Sequence, residues 1–100
     1  MEYMRACTLD TLEEAKPITV ELDGCRIALV RMGEAVHAVS ARCSHAGGPL
    51  GKGWIEEGEL VCPLHRWRFR LNDGRCTTVR GEWVSAFRCE IRGNEVWVEV

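Results

Sequence analysis

Apolar and polar residues alternate with period two along much of this 100-residue chain. That period belongs to strands with one buried face. Ile18, Val20 and Leu22 fall on one face, and Cys25, Ile27 and Leu29 do the same in the next segment. Phe87, Cys89 and Ile91 alternate with Arg88, Glu90 and Arg92, and Val96, Val98 and Val100 alternate with Trp97 and Glu99. Turn residues at Asp23-Gly24, Met32 to Glu34, Asn72 to Gly74 and Arg92 to Asn94 punctuate these runs, which predicts antiparallel hairpins. One short helical turn is predicted in "LDTLEEA", where Asp10 or Thr11 caps a turn carrying Glu13 and Glu14 and Pro17 limits its extension. The pattern predicts an all-β fold.

The region from 41 to 65 breaks the alternation with Gly47, Gly48, Gly51, Gly53 and Gly58 and with Pro49 and Pro63. A loop of that length needs a function or an internal staple. There is no internal repeat and no low-complexity tract. The expected organisation is a single domain, 1–100, with a metal-stapled loop subdomain over approximately 41–70.

Charge and cysteine content narrow the function classes. A formal net charge of −2 lacks the basic excess that nonspecific nucleic-acid binding requires. The first seventeen residues scatter acidic side chains and hold no apolar run, so they read as neither signal peptide nor membrane anchor. Six cysteines in a short chain would suit a disulfide framework if the protein were secreted. With nothing directing secretion, thiols and metal ligation are expected in a cytoplasmic protein with no membrane partner.

The candidate chemistry lies in "CSHAGGPL" and "CPLH". Cys43 and His45 are separated by one residue, sixteen residues intervene, and Cys62 and His65 are separated by two. Two thiolates and two imidazoles suit tetrahedral zinc, yet zinc pairs are usually spaced by two to four residues. A two-iron cluster relaxes that demand, because Cys43 with Cys62 and His45 with His65 can each take a different iron.

This C-x-H and C-x-x-H arrangement, with "HAGGPL" after the first cysteine and "WRF" beyond the second histidine, resembles the signature of Rieske iron-sulfur proteins. The resemblance runs over nearly the full length. It implies a small antiparallel β sandwich or barrel-like Rieske fold with an inserted cluster-binding subdomain, and one 2Fe-2S cluster held by Cys43, His45, Cys62 and His65. Two ferric ions, two sulfides and two thiolates sum to zero charge, where a four-cysteine cluster sums to two minus, so an added electron is less repelled and the potential is raised. In high-potential relatives a serine and a tyrosine two and four residues after the second histidine donate to the cluster, and a disulfide joins the two loops. Here those positions hold Trp67 and Phe69, and Gly48 and Leu64, which implies the low-potential ferredoxin branch. Arg66 departs from the glycine usual after the second histidine.

The resemblance further implies a soluble, monomeric one-electron carrier with no catalytic residues of its own. Its expected donor is a flavin-dependent reductase and its acceptor a terminal oxygenase such as an aromatic-ring dioxygenase. The small subunit of an assimilatory nitrite reductase is the alternative, and a structural zinc module a third. Arg66, Arg42 and Lys52 are expected to form a basic rim that steers an acidic partner, while Arg68 and Arg70 form a solvated face. Leu50, Leu64 and Trp67 are expected to shield the cluster. Cys7, Cys25, Cys76 and Cys89 read as small buried hydrophobes, and His37 as a packed strand residue.

Overall fold

A computed structural model of the chain describes residues 2–44 and 47–100. The strands run β1 (Tyr3–Thr8), β2 (Ile18–Leu22), β3 (Cys25–Met32), β4 (Ala35–Ser40), β5 (Trp54–Glu56), β6 (Glu59–Val61), β7 (Arg68–Arg70), β8 (Ala86–Phe87), β9 (Cys89–Arg92) and β10 (Glu95–Glu99). They form three antiparallel sheets, ordered β2-β3-β4-β8, β1-β10-β9 and β5-β6-β7. The all-β expectation and the antiparallel hairpins at Asp23-Gly24 and Gly93-Asn94 are observed.

The first sheet is the middle layer, because β3 is buried on both faces. Ile27 and Leu29 pack with Leu12, Leu22, Val36, Ala38, Val96 and Val98 against the β1-β10-β9 side. Ala28 and Val30 point the other way, into a second core with Val39, Leu50, Leu60, Phe69 and the cysteines of the two loops. This explains why "IALV" reads as a continuous apolar run where a one-sided strand would alternate. A sheet covered twice gives the second core a rigid floor.

Several expectations need correction. The stretch from 41 to 65 holds more than loop: β5 and β6 form a hairpin within it, and β7 completes the sheet. Trp54-Ile55-Glu56 and Glu59-Leu60-Val61 are too short to show sustained alternation, so their strand character is hidden in the sequence. The helical turn is a single 3-10 turn, Leu9–Thr11, preceded by Thr8, so Asp10 sits inside it rather than capping it. Phe87, Cys89 and Ile91 do not lie on one strand. The chain leaves β8, paired with β4, and enters β9, paired with β10, across Arg88, and Ile91 ends exposed. The first strand, β1, pairs with β10 with a bulge between Arg5 and Cys7, and that irregularity blurs its alternation.

Candidate metal centre

The second core carries two loops at one end. The first leaves β4 and is tied at its base by Ala41 N–H donating to Arg26 O (2.9 Å) and Gly51 N–H to Ala41 O (3.3 Å). Higher up, Arg42 bridges to Pro49 and Cys43 N–H donates to Gly48 O (2.8 Å). Two glycines make this path possible. A Cβ on Gly51 would lie 1.9 Å from Thr19 Oγ1, and one on Gly53 would lie 1.9 Å from the carbonyl oxygen of Val61. The backbone carbonyl closes the Gly53 approach to any other residue, whereas a side chain at Gly51 would require Thr19 to turn its hydroxyl away.

The second loop is a tight reversal between β6 and β7, closed by Cys62 N–H donating to Trp67 O (2.8 Å). The reversal places His65 and Arg66 in succession in the left-handed region, at φ +65° and +57°. Residues with a Cβ avoid this region, so the arrangement stores strain at the position next to His65. The strand that follows, β7, begins only at Arg68. Its inward residue Phe69 and the following Leu71 are buried, and Trp67 packs against the same core.

Cys43 and Cys62 are both buried, 2% and 0% exposed, in the same core, and neither is cross-linked. The loops meet at Gly48, where an added Cβ would stand 3.0 Å from Cys62 Sγ and 3.1 Å from Leu64 Cβ. The absent side chain lets the backbone of the first loop approach Cys62 and Leu64 of the second closely. His65 is exposed at the tip of its loop. His45, the fourth expected ligand, lies outside the described residues. Two thiols buried in one core and an imidazole on the exposed reversal that follows one of them are the kinds of donor that an iron-sulfur cluster of mixed cysteine and histidine ligation takes.

Leu50, expected as a shield, is fully buried, and Trp67 is half-buried. Leu64 is instead 41% exposed, because the reversal turns residues 63 to 66 outward; it makes an apolar patch beside the loops. Arg68 departs from its expected solvated role. It is half-buried, with Nε donating to Glu59 Oε1 (2.9 Å) and a second guanidinium nitrogen to Glu56 O (3.0 Å). Arg70 is exposed, as expected, and pairs with Asp73 (3.4 Å).

Outside the loops, Cys76 is buried and Cys7 and Cys89 are half-buried, whereas Cys25 is exposed. Cys25 opens β3 directly after the Asp23-Gly24 turn, opposite Leu22, and is exposed although its partner packs in the core. Burial pushes the Cys89 thiol up to about 11, with nearby Cys7 adding to it, and burial also raises Cys7. Such thiols stay protonated and unreactive. His37, half-buried in β4 opposite Val30, is held below the ordinary imidazole value by burial and is a packing residue.

The model of the Rieske [2Fe-2S] domain matches residues 2–87. A curated relative from Ralstonia sp, the ferredoxin component of naphthalene 1,2-dioxygenase/salicylate 5-hydroxylase systems, is 31% identical, the match covering 75% of this chain and 74% of the relative. Among solved structures, the ferredoxin of carbazole 1,9a-dioxygenase from Nocardioides aromaticivorans IC177 superposes with a TM-score of 0.92 at 35% identity, covering 98% of this chain and 97% of that one. A Mycobacterium tuberculosis chain described as an NADH-dependent nitrite reductase small subunit gives a TM-score of 0.90 at 24% identity, covering 97% and 93%; that likeness is one of fold. The cofactor is a Rieske-type 2Fe-2S cluster, and the chain belongs to the Rieske [2Fe-2S] domain family.

Proposed function

We propose that this chain is the ferredoxin of an oxygenase system, in which Cys43 and Cys62 hold one iron of the cluster and His45 and His65 hold the other. When bound, the cluster accepts and releases a single electron. Residues 1–100 then act as one domain, with approximately 41–70 as its cluster-binding part. The observation that carries the reading is the meeting of the two loops at Gly48, which brings Cys43 and Cys62 into one core and leaves His65 at the surface.

The residues divide the work by depth. Phe69, Leu50 and Leu60, all fully buried, exclude water from the thiolate side. Cys43 and Cys62 stay fixed there by the two backbone bonds that close their loops. His65, on its outward-turned reversal, faces the side a partner reaches, with Leu64 supplying apolar contact. This arrangement lets an electron pass without any substrate entering the protein.

A terminal oxygenase acting on an aromatic ring is the acceptor that the relatives favour, and a flavin-dependent reductase is the donor. The six uncrosslinked cysteines fit a reducing, cytoplasmic compartment. The nitrite reductase reading rests on fold likeness alone and predicts stable co-purification with a large sirohaem subunit. Metal and acid-labile sulfide analysis of anaerobically purified protein tests the assignment: two irons and two sulfides per chain are expected, lost together in Cys62→Ser. Stoichiometric zinc without sulfide would overturn it.

A further inference from the structure

Beside the first loop lies a groove of about 540 Å³ lined by Thr19, Arg26, Arg42, Gly47, Pro49 and Lys52 among others. Its three cations come from separate segments: Arg26 from the start of β3, Arg42 from the base of the loop and Lys52 from the 3-10 turn Leu50–Lys52. Among the described residues no acidic side chain lines it. Among those residues, too, none of the three cations is in an ion pair, whereas Arg5, Arg68, Arg70 and Arg92 all are. Glu21, opposite Arg26 in the strand register, lines a neighbouring hollow together with Arg26 and Arg42 and forms no ion pair with either. Arg66, the residue expected to lead a basic rim, belongs to the other loop and does not line this groove.

We infer that this groove is a docking site for an acidic surface of the redox partner protein, with partner carboxylates seated on Arg26, Arg42 and Lys52 beside the first cluster loop. The inference rests on the electron-carrier reading above and adds the chemistry of the partner and the side from which it approaches. Charge complementarity argues for the occupant. The chain as a whole is formally −2, so the charge outside the groove sums to a more negative value than that of the whole. Unpaired cations need no rearrangement to receive a carboxylate. Screening over about 10 Å at ~0.1 M salt makes the local groove, rather than distant acids, govern the last stage of approach.

Stopped-flow oxidation of the reduced holoprotein by ferricyanide tests the sign of the local charge. One electron passes from the reduced cluster to ferricyanide, giving ferrocyanide and the oxidised cluster, with no proton or bond change. Despite the net negative charge, the rate is expected to fall about threefold or more as ionic strength rises from about 10 mM to about 500 mM. Arg26→Glu/Lys52→Glu should abolish or invert that dependence; Arg42 is left intact because its side chain lies across Gly47. Lys16→Glu/Arg88→Glu, with the same change in net charge, should keep it. A second arm measures fluorescein-labelled hexaglutamate by anisotropy, with binding expected to weaken about fivefold or more in the groove variant and little in the control. A flat or rising wild-type rate, or equal loss in both variants, overturns the groove. Failure to take up an electron from dithionite overturns the carrier reading instead, and the peptide arm still decides the groove.

Discussion

Arg66 sits at φ +57° directly after His65 at φ +65°, and a left-handed residue with a Cβ costs about 1–2 kcal/mol. Glycine removes that strain but gives the unfolded chain extra freedom worth about 0.4–1 kcal/mol. Arg66→Gly should therefore stabilise the holoprotein by about 0.5–1 kcal/mol and raise its melting temperature by about 2–8 °C. A fall in melting temperature would show that the exposed arginine makes a contact outweighing its backbone strain. Gly48 is the other decisive residue. Its missing Cβ would stand 3.1 Å from Leu64 Cβ, slightly inside the separation of a disulfide, about 3.5–4.5 Å. Gly48→Cys/Leu64→Cys should oxidise to a cross-link after the loops part by a few tenths of an ångström, losing two hydrogens by mass and gaining up to about 3 kcal/mol less strain. Two thiols still open to alkylation at those positions would show that the loops do not meet as described.

At the scale of elements, Arg68 ties the small sheet together. Its Nε bonds Glu59 on β6, and its other nitrogen reaches the carbonyl of Glu56 on β5. Side-chain exposures of 30% and 23% for Arg68 and Glu59 set this pair apart from the open surface pairs, which contribute little. Arg68→Met should cost about 1–2 kcal/mol, read by denaturant unfolding, while Arg70→Met should cost under about 0.5 kcal/mol; equal losses would refute the tie. The same elements show what the sequence could and could not reveal. The longer strands β2 and β10 were legible because a full alternation fits within them, and β3 because its apolar run is bounded by turn residues at both ends. The hairpin of β5 and β6 was not, since three residues carry no period. The break at Arg88 was hidden because two strands of like parity in different sheets succeed each other without a turn residue. At the site, residue type and spacing marked Cys43, Cys62 and His65, and the structure brings the two thiols into one core. Arg26 went unnoticed because it is remote in sequence and only the folding of β3 beneath the first loop brings it beside Arg42 and Lys52.

For the whole molecule, the central sheet covered on both faces gives two cores with different duties. One joins the β1-β10-β9 sheet to the middle layer. The other buries Cys43 and Cys62 and presents the loops at the surface. Among the described residues no helix is long and apolar enough to cross a membrane. A basic groove on an otherwise acidic chain sets the side of approach, and Leu64 supplies an apolar contact at the tip. The residues after the second loop bear on the potential: Phe69 is a wholly buried ring, and neither it nor Trp67 has a hydroxyl to stabilise the reduced, more negative state. Potentiometric titration of the holoprotein, monitored by the EPR signal of the reduced cluster, tests this account most directly. A one-electron midpoint below zero is expected, in the lower part of the Rieske span of roughly −150 to +300 mV. A midpoint above about +100 mV, or no signal on reduction, would contradict it.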